Sequence, residues 1–157
     1  MLALAAFGCG GSKAPPFTVA GTGYSFSAPG GWSVHRSPGQ VEVAERKGSI
    51  ALVEVSRFAL LRAFRPELWA KAVKELDGVA RRLAKQQHGT VSASSNVTAA
   101  SLRARRYDLA YSLHGRQVME TLVFVLHAKT EYLLLCRYER GKSSSACGLL
   151  AKSFKLT

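Results

Sequence analysis

Few side chains in this chain are spaced for chemistry. The four histidines, His35, His88, His114 and His127, form no HxxxH or HxH pair of the kind that holds a metal. Ser143-Ser144-Ser145 lacks the GxSxG elbow of a serine nucleophile and reads as a loop and helix cap. Glu75 and Asp77 are two apart on a predicted helix, so they do not face each other as an acid/base pair would. Gly21-Thr22-Gly23 precedes a strand rather than a helix, which is the wrong context for a phosphate cradle. The sequence therefore predicts no catalytic residue, no metal site and no cofactor.

The cysteines carry more information. Cys136 ends the strand-like run YLLLC, and Cys147 falls in the first turn of a short helical segment. Between them lies a polar loop with Gly141 and three serines. In an oxidising compartment these two can pair, closing a loop worth roughly 2–3 kcal/mol; the other reading is two buried free thiols. Their spacing excludes a CxxC redox centre.

Cys9 stands apart. It follows MLALAAFG, an apolar stretch with a small residue before the cysteine, and precedes Gly10-Gly11-Ser12-Lys13-Ala14-Pro15-Pro16. An apolar run ending at a small residue reads as a secretory leader, and a cut just before cysteine resembles a bacterial lipobox. Gly8 fits that pattern. Ala6 stands where leucine is usual, Phe7 is bulky for its place, and no Lys or Arg precedes Cys9. The missing basic segment points to a start upstream of Met1. The expectation is a lipidation leader over 1–9, a flexible tether over 10–19 and one domain over 20–157. The protein would then be exported and anchored through lipid at the outer face of the cell membrane.

The strongest compositional signal is charge: 22 Lys and Arg against 10 Asp and Glu, a net +12 in 157 residues. Such a balance attracts polyanions in general. The cations concentrate on one predicted helix. Pro66 suits its first turn and Glu67 its positive dipole end. Trp69, Ala72, Val73, Leu76, Val79, Ala80 and Leu83 recur at spacings of three and four, forming one apolar stripe. Lys71, Lys74, Arg81, Arg82 and Lys85 fall on the opposite face. These five are the candidate contact for anionic lipid or an acidic envelope polymer, and a protein partner is a further option. An exported domain without a recognition-helix or RNP motif is a poor nucleic-acid binder. Gly89 is expected to close the helix.

Strands surround this helix. Tyr24–Ala28 alternates and stops at Pro29; Trp32-Ser33-Val34 and Val41–Ala44 are short strands; Ile50–Val55 is apolar on both faces, as a covered inner strand would be. Ala104–Leu113, Val118–Ala128 and Tyr132–Tyr138 are joined by tight turns, predicting an antiparallel meander. A short C-terminal helix carries Leu149, Leu150 and Phe154. The fold class is α+β: a central antiparallel sheet with one long helix and a short C-terminal helix packed on it.

Residues Tyr24, Phe26, Pro29 and Trp32 form Tyr-x-Phe-x-x-Pro-x-x-Trp, and the last helix ends Ser153-Phe154-Lys155. With this order of elements, the stretch from about 20 to 157 resembles the PsbP-like superfamily, and within it the small lipoproteins of the LpqN type. The resemblance implies an α/β/α sandwich and an accessory or binding role rather than an enzymatic one. The metal-binding histidines of its photosynthetic branch have no matching motif here. The leading expectation is a membrane-tethered binding module. A carrier of a small or lipid-like ligand between sheet and long helix is the first alternative, and a hydrolase without a recognisable motif the second. An apolar cavity behind Trp69, Val73 and Leu76 would mark the carrier.

Overall fold

A computed structural model describes residues 14–157. Ten strands run in chain order: β1 Phe17–Gly21, β2 Tyr24–Ala28, β3 Ser33–Ser37, β4 Gln40–Ala44, β5 Leu52–Ala59, β6 Thr90–Ala99, β7 Leu102–Leu113, β8 Arg116–His127, β9 Thr130–Glu139 and β10 Lys155–Leu156. The long helix α1 spans Trp69–Gln86 after a 3-10 turn at Pro66–Leu68, and α2 spans Ser145–Ser153. Seven strands form one antiparallel sheet in the order β3-β4-β5-β9-β8-β7-β6. The predicted meander is its β7-β8-β9 portion, in continuous register.

The sequence reading placed all strands in one sheet; β2 instead leaves it. Pro29 and Gly30-Gly31 turn the chain away, so β2 pairs with β1 on one side and β10 on the other. This small sheet covers one face of the large one. β1 begins at Phe17, inside the stretch read as tether, and its Val19 is only 2% exposed. The ordered domain therefore starts before residue 20. The leader and Cys9 lie outside the described residues.

Two cores fill the sandwich. On the small-sheet face, Val53, Val55, Val125 and Leu134 meet Phe26, Leu150 and Phe154. The motif residues converge here: the ring of Tyr24 lies 5.9 Å from Tyr132 and 6.0 Å from Phe154, and its hydroxyl donates to the Val55 carbonyl at 3.0 Å. The Ser153 hydroxyl accepts the Ser27 N–H at 2.8 Å. The opening Tyr-x-Phe and the closing Ser-Phe are thus two sides of one contact. On the other face, Leu76, Ala80 and Ala84 of α1 pack on Tyr107, Leu109, Leu122 and Phe124.

β5 is an inner strand as expected, but its two faces differ. Val53 and Val55 are fully buried, whereas Glu54 and Ser56 share the helix-side face with Leu52 and hydrogen-bond each other at 2.7 Å. Gly89 closes α1 as expected, its N–H donating to the Ala84 carbonyl at 2.8 Å. His88, not Gly89, adopts the left-handed backbone (φ 52°). Gly89 serves close approach, because a Cβ there would strike the Ala110 carbonyl and Tyr111.

Candidate functional site

The basic helix face is built by what holds its other side. Burial of Trp69, Leu76, Ala80 and Ala84 fixes the rotation of α1 on the sheet. A polar anchor adds to it: Asp77 accepts the Tyr107 hydroxyl at 2.6 Å and the Arg105 guanidinium at 3.3 Å. The bond from Tyr107, with the Arg105 cation beside it, holds the Asp77 carboxyl below the ordinary carboxylate range. Burial and the same bond raise the Tyr107 hydroxyl to about 12. One of the two acids of α1 is thereby turned inward, and Glu75 is left as the exposed one.

Lys71, Lys74, Arg81, Arg82 and Lys85 are all exposed. Lys71, Lys74, Arg81 and Lys85 follow spacings of three, seven and four, which is one stripe on a helix, and Arg82 stands beside it. Among the described residues none of the five takes part in an ion pair; the cations so engaged are Arg65, Arg105, Arg106 and Arg116. Arg81 and Lys85 also border an open groove of about 650 Å³ between α1 and β6, joined there by His88. His88 reaches this groove because the left-handed turn ends the helix on it, which spacing alone did not reveal.

A second cleft, of about 440 Å³, opens where the β1–β2 and β3–β4 turns part. Arg36 and Arg57 line it with Thr22 and Ser37, and no Asp or Glu does. Arg36 is held by donating to the Ala20 carbonyl at 2.6 Å. The sequence reading missed this pair, whose members lie 21 residues apart on β3 and β5 and are brought together by the β3-β4-β5 ladder.

The remaining groups of chemical interest are engaged in structure. Tyr111 donates to Glu120 at 2.7 Å inside the core, and burial raises both groups. Arg137 reaches the Ile50 carbonyl at 3.0 Å. The histidines stay apart, on β3, after α1, in the β7–β8 turn and at the end of β8. Among the described residues no three His, Cys, Asp or Glu are grouped to hold a metal ion, and no helix is long and apolar enough to cross a membrane. Cys136 and Cys147 are disulfide-bonded, tying β9 to the first turn of α2.

No protein-family model and no curated protein matches the sequence. Solved structures do. The solution structure of cyanobacterial PsbP (CyanoP) from Synechocystis sp. PCC 6803 superposes with a TM-score of 0.63 at 12% identity, over 98% of this chain and 99% of that one. LpqN of Mycobacterium tuberculosis, described as involved in cell envelope biogenesis, gives a TM-score of 0.51 at 12% identity, over 95% and 87%. A Bacteroides thetaiotaomicron crystal structure gives 0.65 at 12% identity over 92% of this chain, which spans about half (49%) of that longer protein. At such identities the likeness concerns architecture: a central antiparallel sheet, the long helix on one face, the short C-terminal helix on the other. This chain has the PsbP-like fold.

Proposed function

We propose that the protein is an exported, non-enzymatic binding module, tethered to the membrane by lipid at Cys9, that holds an acidic envelope polymer on the outer face of α1. The observation that carries this reading is the unpaired cationic stripe Lys71, Lys74, Arg81, Arg82 and Lys85 on a rigidly seated helix. Unpaired exposed cations gain long-range attraction to a polyanion without first breaking a bond within the protein. Two further observations support it. The Cys136–Cys147 disulfide suits an oxidising compartment, and LpqN, of the same fold, is described as involved in envelope biogenesis. Direct packing of Leu76 and Ala80 on Tyr107 and Leu122 favours a surface contact over a carrier with a ligand behind the helix.

The tether is tested by mass spectrometry of the protein extracted from native membranes. A diacyl or triacyl increment on Cys9 is expected, and an unmodified cysteine would refute the anchor. The polymer contact is tested separately, by titration with a soluble polyanion such as polygalacturonate.

A further inference from the structure

Four large apolar side chains stand strongly exposed among the described residues, and three of them fall within residues 58–68: Phe58 at 49%, Leu61 at 103% and Leu68 at 39%. Leu61 has no cover at all. The segment that carries it is nevertheless pinned. Leu60 N–H donates to the Lys129 carbonyl at 2.9 Å and Phe64 N–H to the Ala128 carbonyl at 2.7 Å, tying both shoulders of the loop to the β8–β9 turn. Phe64 then meets Trp69 edge-on at 6.3 Å, and the Arg103 guanidinium covers that indole at 4.9 Å. Residues 61–63 (Leu-Arg-Ala) therefore project as a wedge between two anchored points, with Leu61 as its apolar tip.

The surroundings of the wedge are cationic. Arg57, Arg62, Arg103 and Lys129 are exposed around it, and the cleft lined by Arg36 and Arg57 opens at the same end of the sandwich. Glu67, exposed beside it, is paired with Arg65 at 3.4 Å. Glu131 is the other acid nearby, on β9 opposite Phe58, and burial raises its carboxyl toward the neutral form. Exposed apolar tips set among cations match the interface of an anionic bilayer, where acyl chains and phosphates lie a few ångströms apart.

We infer that this end of the domain docks on an anionic lipid bilayer, with Leu61 and Phe58 entering the headgroup boundary and the surrounding arginines meeting lipid phosphates. The contact lies at the N-terminal end of α1, away from Arg81 and Lys85 at the far end of the helix stripe. It is separate from the tether too, since Ala14 and Pro15 lie against Gly30 at the opposite end of the strands.

The experiment uses the full chain carrying Cys9→Ser, so that no acyl chain can bind membrane on its own. It is sedimented with phosphatidylcholine vesicles, with and without phosphatidylglycerol. Binding is expected to the anionic vesicles and much less to the neutral ones. Leu61→Asp should lower the anionic partition by about tenfold or more while leaving the melting temperature unchanged, because Leu61 makes no folded-state contact. Leu61→Trp should shift its emission to the blue on adding the same vesicles. Arg81→Glu with Lys85→Glu should keep that shift, even where it abolishes polyanion binding, so this inference and the proposed function fail separately. Unchanged partition of Leu61→Asp, an unshifted Leu61→Trp, or no wild-type binding to either vesicle would overturn the inference.

Discussion

The two faces of the seven-stranded sheet are closed in different ways. The small-sheet face is closed by distant parts of the chain. β2 comes from the start of the domain, α2 and β10 from its end, and aromatic stacking and a disulfide lock them together. The helix face is closed by one element, α1, whose Leu76, Ala80 and Ala84 rest on Tyr107, Leu109, Leu122 and Phe124, with one polar anchor at Asp77. The first face holds the ends of the domain in place. The second leaves a whole helix side free for solvent, and that side is where the cations gather.

If that contrast is right, the largest loss of stability lies on the small-sheet face. Phe154 is 2% exposed and touches both Tyr24 and Tyr132. Phe154→Ala is expected to cost about 3–5 kcal/mol in denaturant unfolding, and a loss below that of an exposed-site change would break the comparison. Next comes Cys136→Ala, which removes the cross-link and opens the contact between β9 and α2. It should lower stability by about 2–3 kcal/mol under oxidising conditions and narrow the gap to the wild type once both are reduced.

The helix face should respond less, and with pH. The Asp77 carboxyl titrates below its ordinary value of 3.8 in the folded chain, so near that value the unfolded chain binds more protons. The stabilisation is present above 3.8 and is lost as pH falls through the lower folded value. Asp77→Asn should cost about 1–2 kcal/mol at neutral pH, and the difference from the wild type should shrink on acidification. A cost that stays constant with pH would mean that the carboxylate charge is not the anchor.

Much of this contrast can be read from sequence, and what escapes does so for local reasons. The α1 stripe and the β7-β8-β9 meander are legible because their apolar residues repeat with the period of the element. β6 is fainter: in Thr90–Ala99 the alternate positions Val91, Ala93, Val97 and Ala99 are small or isolated, Ser95 breaks the series, and at the sheet edge just one residue, Ala99, is buried. Its pairing with β7, interrupted by a register shift between Val91 and Ala93, defines it. β1 is hidden behind Pro15-Pro16 and the glycines near it, and the second sheet depends on β10, a strand of two residues.

The site divides the same way. The five helix cations are visible as a face because they share one helix. The partners of Asp77, at positions 105 and 107, are 28 and 30 residues away and leave no local trace. Residues 58–61 carry no periodic signal between the inner strand and the helix, and the outward projection of Leu61 depends on hydrogen bonds from Leu60 and Phe64 to the β8–β9 turn. Arg36 and Arg57 meet at a cleft that needs both sheets.

The central claim is that the outer face of α1 binds an acidic polymer through charge. It is tested most directly by titrating the wild type and the Lys71→Glu, Lys74→Glu, Arg81→Glu, Lys85→Glu variant with polygalacturonate at rising salt. All four positions are exposed, so the fold should survive the change. The account predicts wild-type binding that weakens steadily as salt screens it, and a variant with binding reduced at least about tenfold. Equal affinity of the two proteins, or wild-type binding indifferent to salt, would contradict it.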